Sequence, residues 1–138
     1  MTYQREETVR FAHCDPAGIV FFPQYLVMLN NLVEEWFDRG LRIPYAGLVS
    51  ERRLGLPTVR LEVDFTAVSR LGDLLTQKLS LRHLGRTSMH LHTEFYGRGE
   101  LRMRVKHVVV CTSLEDHRPR LLPDDVRAAL QPVVEAAP

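Results

Sequence analysis

The sequence predicts an α+β domain in which a curled antiparallel sheet of about five strands wraps around one long central helix. Three observations predict it. Between Gln24 and Arg39, apolar residues recur in steps of three, four and seven, the period of a helix with a wide apolar face. From Val59 onward the period changes to two, which is the alternation of strands. The alternating segments are separated by short glycine-bearing turn signals and not by further helices. A sheet that is apolar on one face has to cover it, and the 24–39 helix is the only element large enough.

Taken in order, residues 3–12 alternate roughly between polar and apolar and read as a first strand. The helix follows, with Tyr25, Leu29, Leu32 and Trp36 on its apolar stripe and Leu26, Val33 and Phe37 beside them. Pro23 suits a first helical turn, where its missing N–H would have no partner anyway, and Gly40 suits the stop. A short helix is expected over Tyr45–Arg53, ending before Gly55 and Pro57. Val59, Leu61, Val63 and Phe65 alternate with Arg60, Glu62, Asp64 and Thr66 in a strand with one wet face. After a turn at Leu71-Gly72-Asp73, Leu75, Leu79 and Leu81 face one way and Thr76, Lys78, Ser80 and Arg82 the other. Leu84-Gly85-Arg86 and Gly97-Arg98-Gly99 are hairpin signals flanking a strand with Met89, Leu91, Thr93 and Phe95 on one side. The strand from Leu101 to Thr112 starts polar on one face, with Arg102, Arg104 and Lys106, and ends apolar on both, as a central strand does. A terminal helix is expected over Asp124–Ala136, broken or kinked at Pro132.

Composition narrows the function classes. The chain has 138 residues, enough for one domain with a real core and no linker, repeat or low-complexity tract, so residues 1–138 read as a single domain. A net charge of +1 argues against a dedicated nucleic-acid binder, which carries a basic stripe. No apolar run approaches the roughly 20 residues of a membrane span, and residues 1–7 show no apolar secretion-signal core. Two widely spaced cysteines, Cys14 and Cys111, fit free thiols in a reducing, cytoplasmic compartment.

The chemistry concentrates at one stretch. Asp15 stands on the turn sequence Asp15-Pro16-Ala17-Gly18, immediately before the helix. A carboxylate there can attack a carbonyl or activate a water, and the free N–H groups of the helix start, backed by the positive end of its dipole, can stabilise an oxyanion. Gly18 lets the backbone approach closely and Pro16 stiffens the turn. The same four residues are also good turn chemistry with no catalytic meaning. His13 and Cys14 suggest a nucleophilic pair, but adjacent residues on an extended segment point apart. His90 and His92 share a strand face without a third ligand, so no metal is expected. Glu34 and Glu35 in mid-helix read as exposed or interface charge.

Val9-Arg10-Phe11 followed by Cys14-Asp15-Pro16-Ala17-Gly18-Ile19-Val20-Phe21-Phe22-Pro23-Gln24-Tyr25 resembles the signature of the hot-dog acyl-CoA thioesterases, in the branch of 4-hydroxybenzoyl-CoA thioesterase. Gly55-Leu56-Pro57-Thr58-Val59 and the order of elements fit as well, so the resemblance covers nearly the whole chain. It implies the hot-dog fold and hydrolysis of an acyl-CoA to a free acid and coenzyme A. The acyl group would be aromatic, such as 4-hydroxybenzoyl, or short-chain aliphatic. Asp15 matches the catalytic aspartate, as nucleophile or general base, and the backbone N–H of Phe22 the oxyanion donor. Gly18, Pro23, Tyr25, Thr58 and Arg86 match substrate-binding positions, with Arg86, in a hairpin turn, near the coenzyme A nucleotide. Arg82, Arg104 and Lys106 are further candidates for its phosphates. In some relatives a helix carboxylate is catalytic instead. The chain departs from relatives that carry an acid at position 13, where it has His13, and a side-chain donor at position 22, where it has Phe22. No cofactor is implied beyond the coenzyme A of the substrate. The implied assembly is a homodimer or homotetramer joined through a sheet edge, with no nucleic-acid or membrane partner. The competing expectations are a non-catalytic or dehydratase-like hot-dog domain that binds acyl-CoA or an acyl carrier protein, and a purely structural oligomer.

Overall fold

The computed structural model describes residues 1–135. Its centre is the helix α1, Phe22–Glu35, which runs on as a π-helical turn over Trp36–Leu41. The expected stripe is the buried one: Tyr25, Leu29, Leu32, Val33, Trp36 and Phe37 all lie in the core. The expected boundaries, Gln24 to Arg39, are short at both ends. Phe22 and Pro23 occupy the first turn, and the chain leaves the helix at Arg42, which takes the left-handed conformation at φ 61°. Gly40 is therefore not the stop. A Cβ there would come within 2.8 Å of Trp36 Cδ1, so this glycine is required by close packing beneath Trp36 and Tyr3.

Around α1 curls a five-stranded antiparallel sheet of β1 (Tyr3–Thr8), β3 (Thr58–Phe65), β4 (Leu74–Leu84), β5 (Ser88–Gly97) and β6 (Glu100–Val110). The spatial order is β1-β4-β5-β6-β3. Leu75, Leu79 and Leu81 of β4, Met89, Leu91 and Phe95 of β5, and Met103, Val105 and Val109 of β6 face the helix and are at most 3% exposed. Each such side chain contributes roughly 1.5–3 kcal/mol by leaving water. Small elements complete the chain: α2 (Tyr45–Ser50), the two-stranded ribbon of β2 (Leu54–Gly55) and β7 (Thr112–Ser113), and α3 (Asp124–Leu130).

Several expectations are corrected. The first strand ends at Thr8 and not at residue 12, because Phe11–His13 form a 3-10 turn. The short helix stops at Ser50 and the last long strand at Val110. The strand over residues 58–65 does not neighbour the next one in sequence. The chain crosses over the end of the sheet, and β3 lies at the far edge against β6. Arg102 was expected on the wet face but is 6% exposed. In the β5–β6 ladder Phe95 faces Met103 while Tyr96 faces Leu101, so Arg102 is the extra residue of a bulge, and the bulge turns it inward. α3 ends at Leu130, and Pro132 sits in a following 3-10 turn, Gln131–Val133; Ala136 lies outside the described residues.

Candidate active site

The segment before α1 is a closed loop tied at its base by an antiparallel bridge between Cys14 and Val20. Within it, the Asp15 N–H donates to the Ile19 carbonyl at 3.0 Å and the Gly18 N–H to the Asp15 carbonyl at 2.9 Å. Gly18 has φ +77°, a left-handed conformation, while open space surrounds the position of a Cβ. The left-handed conformation serves the turn, and the open space leaves the backbone here approachable. Asp15 Oδ1 accepts the Ala17 N–H at 2.9 Å, which leaves Oδ2 for another donor. This is the turn chemistry of an Asp and also a way of holding a carboxylate at a set angle.

The loop is fastened to the first turn of α1. Phe21 N–H donates to the His13 carbonyl at 2.9 Å, and Gln24 N–H donates to the Phe21 carbonyl at 2.8 Å. Pro23 has no N–H. The expected row of free donors therefore narrows to one: among the described residues, the N–H of Phe22 has no acceptor. A lone donor at a helix start, carrying the helix's partial positive charge, is the geometry an oxyanion needs.

The walls near this donor are aromatic. The Phe22 ring meets Phe21 edge-on at 5.6 Å and Phe65 at 5.9 Å, and Phe65 in turn lies 5.8 Å from Tyr25. Phe21, Phe22 and Phe65 are each about half exposed and Phe11 is 82% exposed, so this end presents apolar surface to solvent. Tyr25 is different: it is 4% exposed, and its hydroxyl donates to Ser69 Oγ at 2.8 Å. Burial raises its pKa, so the phenol stays protonated.

Beneath the loop lies a polar clamp for which the sequence offered no sign. Buried Arg102 donates to the Val68 carbonyl at 2.8 Å, to Ser69 Oγ at 3.2 Å, to Asp73 Oδ2 at 2.9 Å and to the Gly97 carbonyl at 3.2 Å. These contacts hold the 66–73 connection, which in turn holds the Asp15 loop. Ser69 carbonyl accepts the Val20 N–H at 2.9 Å, and Leu71 N–H donates to the Gly18 carbonyl at 3.0 Å. The Arg70 N–H, and then the Arg102 guanidinium, keep the Asp73 carboxyl below the usual carboxylate range. Only the bulge gives Arg102 this role, and plain alternation hides it.

His13 and Cys14 do not pair. His13 Nδ1 accepts the Arg10 N–H at 2.9 Å, and Cys14 Sγ approaches the Arg10 carbonyl at 3.5 Å. Burial, and then the Asp15 charge, push the Cys14 thiol up, away from the thiolate a nucleophile needs. Glu35 is tied to β1 through the Tyr3 hydroxyl at 3.1 Å and Arg5 at 3.3 Å. Among the described residues no cluster of three or more His, Cys, Asp or Glu is placed to hold a metal ion.

Asp15, Gly18, Phe22, Pro23 and Tyr25 thus gather at one end of the sheet, where β4 begins. Thr58 and Arg86 do not join them. Thr58 pairs with Val109 at the end of β6, and Arg86 lies in the turn after Leu84. The eleven-residue length of β4, roughly 35 Å, separates that end from Asp15 within one chain.

Residues 9–130 match the family described as the thioesterase-like superfamily. The chain is 31% identical over 80 residues to a 1,4-dihydroxy-2-naphthoyl-CoA hydrolase of Synechocystis sp., covering 58% of this chain and 57% of that protein. It is 31% identical over 84 residues to a 4-hydroxybenzoyl-CoA thioesterase of Pseudomonas sp. strain CBS-3, covering 60% of each. The chain thus spans under two thirds of the length of these curated relatives. The fold matches the crystal structure of Slr0204, a 1,4-dihydroxy-2-naphthoyl-CoA thioesterase from Synechocystis, with a TM-score of 0.85 and 26% identity over 94% of this chain and 96% of that one. It also matches BH1999, a gentisyl-coenzyme A thioesterase, with a TM-score of 0.81 and 25% identity over 94% of this chain and 99% of that one.

Proposed function

The chain belongs to the thioesterase-like superfamily, and from that premise we propose that it is an acyl-CoA thioesterase with Asp15 as its catalytic carboxylate. The observation that carries the reading is the pairing of Asp15, whose Oδ2 is free, with the single unpaired N–H of Phe22 on a loop and helix start bonded to each other. A thioester carbonyl is already electrophilic, so little more is required. The carbonyl oxygen accepts the Phe22 N–H. Asp15 either attacks the carbonyl carbon or takes a proton from a water that attacks it. The C–S bond breaks, coenzyme A leaves as the thiol after taking up a proton, and water supplies the hydroxyl of the free acid. One oxyanion donor is worth on the order of 3–4 kcal/mol in hydrolases where it has been removed. No cofactor enters beyond the coenzyme A of the substrate.

The acyl group is aromatic in this reading. Phe21, Phe22 and Phe65 offer ring surface beside the donor, and the relatives named above act on naphthoyl-, benzoyl- and gentisyl-type thioesters. The functional unit is at least a homodimer. Leu61 and Phe65 are 45% and 48% exposed on the helix-facing side of edge strand β3. A second copy pairing antiparallel along this edge would bring its Thr58 and Arg86 end toward the Asp15 end of the first. That would complete a site with a cation for the coenzyme A phosphates. The free thiols of Cys14 and Cys111 suit a cytoplasmic setting.

Turnover of a panel of aromatic and aliphatic acyl-CoA esters by wild type and Asp15→Asn tests this. The expected result is preference for aromatic esters and a fall in kcat of about 10²–10⁴-fold in the variant, with an unchanged circular dichroism spectrum. Equal thiol release by both proteins sinks the role of Asp15. Tight binding of acyl-CoA with no release by either points to a binding module.

A further inference from the structure

The 66–73 connection crosses the end of the sheet towards β4 and β1, on the opposite side from β3, and there it meets the turn at Arg10 and Phe11. Phe11 is 82% exposed, and Val68, Leu71 and Leu74 are each about half exposed. Hydrogen bonds gather them at one place. The Val9 N–H donates to the Asp73 carbonyl, the Gly72 N–H to the Val9 carbonyl and the Leu71 N–H to the Gly18 carbonyl, while Thr8 faces Leu74 in the β1–β4 ladder. Single apolar side chains scattered on a surface need no explanation, whereas a group of them marks a contact. These four also stand on a fixed backbone. The N–H groups of Arg70, Leu71, Gly72 and Asp73 are all bonded internally, and Arg102 clamps the connection from below.

Arginines rim these side chains. Arg10 precedes Phe11, Arg70 precedes Leu71, and Arg98 lies in the β5–β6 turn at the same end, next to Gly97, which pairs with Leu75. All three are exposed, and none makes an ion pair among the described residues. The carboxylates nearby have partners of their own: Asp73 and Glu100 pair with Arg102, and Glu7 with Arg5. Arg98 acts on Asp73 only through space, as one of the weaker charges that help to lower its pKa. Asp15, on the adjoining loop, carries the opposing charge.

We propose that this patch docks the protein on an anionic lipid surface, with Phe11, Leu71 and Leu74 entering the boundary between headgroups and acyl chains and Arg10, Arg70 and Arg98 at the phosphates. Buried apolar area and attraction to anionic headgroups are the two contributions that hold a protein on such a surface. An acidic protein offers the same charge. A strand that pairs with this connection needs free backbone N–H groups, however, and these are bonded; a docked helix needs a groove, whereas these side chains stand on turns and at a strand end. Among the described residues no helix is long and apolar enough to cross a membrane, and a surface contact needs none. The docking does not rest on the thioester reading. It turns the Asp15 loop, which is tied to Leu71 through Gly18, towards the lipid.

Flotation of the full chain with vesicles of equal parts phosphatidylserine and phosphatidylcholine, beside vesicles of phosphatidylcholine alone, tests the patch. Binding to the anionic vesicles is expected, weakening as salt rises. One arginine near such a surface is worth roughly fivefold in partitioning, so Arg10→Gln, Arg70→Gln and Arg98→Gln together lower binding on the order of 10²-fold. Leu71→Ser combined with Leu74→Ser lowers it several-fold at every salt concentration. Phe11→Trp supplies a gain of signal: the one native tryptophan, Trp36, is buried, and the emission of the new indole moves to shorter wavelength on the anionic vesicles only. The Asp15→Asn chain binds at least as tightly as wild type, because it loses the opposing charge, and so a failure of the catalytic reading leaves this result untouched. No flotation with anionic vesicles, or flotation that the arginine substitutions leave unchanged, overturns the proposal. So does a Phe11→Trp shift that follows protein concentration without vesicles, which assigns the patch to a second copy. A shift produced by polyglutamate and not by vesicles overturns it too, in favour of an acidic protein.

Discussion

The two edges of this sheet are built by opposite rules. β1 is six residues long and charged: Gln4, Glu6 and Thr8 alternate with Tyr3, Arg5 and Glu7, and the last three point inward yet remain polar. Arg5 pairs with Glu7 and Glu35, and the Tyr3 hydroxyl with Glu35. β3 is eight residues long, and its helix-facing row of Leu61, Val63 and Phe65 is apolar. Inward charges and short length are how a free edge avoids pairing with another chain. β3 uses neither device on its helix side, where it leaves two large apolar side chains nearly half exposed. The difference is that β1 carries the features of a protected edge, while β3 leaves the apolar surface that the proposed dimer would cover. The end of the molecule that carries the proposed site lies against β3, through Phe65.

The strongest way to break this contrast is to charge β3. Leu61→Glu places like charges near each other across any two-fold pairing of the edge, at a position open enough for the chain itself to fold. The expected outcome is a monomer by analytical ultracentrifugation and a fall in thioester hydrolysis on the order of 10²-fold, the scale of a misplaced site. A fully active monomer would separate catalysis from the edge.

Next in size is the clamp at the exit of β3. The Arg102 carbonyl accepts the N–H groups of Thr66 and Ala67, and its guanidinium holds Asp73. Arg102→Met leaves Asp73 largely covered and unpaired, so a loss of about 3–5 kcal/mol is expected in urea unfolding. The pH dependence has a definite sign. Asp73 has a depressed pKa when folded, so its contribution is present above the unfolded carboxylate value of about 4 and lost as pH falls through the folded value. That acid-side loss should shrink in the variant. Unchanged stability would mean that the bulge, and not the ion pair, holds the connection.

A third test probes the floor under the same edge. His107 faces Leu61 in the ladder and is 4% exposed, and burial lowers its pKa to about 4. The folded protein keeps it neutral while the unfolded chain protonates near pH 6.5. Between these values the unfolded state binds more protons, so stability falls as pH falls, by about 1 kcal/mol per pH unit. His107→Leu should flatten that slope; an equal slope would show that the carboxylates account for it.

Much of this was legible in the sequence because it rests on local periodicity. Tyr25, Leu29, Leu32 and Trp36 mark the buried stripe of α1 by spacing alone, and Asp15-Pro16-Ala17-Gly18 announces a turn that carries an acid. What was hidden depends on contacts between distant residues. The strand at 58–65 looks like a neighbour of the next strand, because sequence order is the only cue; its place beside β6 is decided by the crossover. Arg102 and Arg82 look like members of an alternating polar face, and only a bulge in each ladder reveals that one is buried and the other re-aimed. The count of free donors at the helix start required knowing that Phe21 and Gln24 spend their N–H groups locally.

The smallest effect is the control that gives the comparison its meaning. Glu6 lies on the outer face of β1, opposite Thr76, and makes no ion pair among the described residues. Glu6→Lys reverses a charge at an edge, as Leu61→Glu introduces one, but at an edge that is already polar. Its expected effect on stability is within about 0.5 kcal/mol, with no change in sedimentation or turnover. If it instead dissociated the protein as Leu61→Glu does, charge at either edge would act through long-range repulsion. The apolar row of β3 would then lose its special standing. A null result at β1 beside a large one at β3 ties assembly and catalysis to Leu61, Val63 and Phe65.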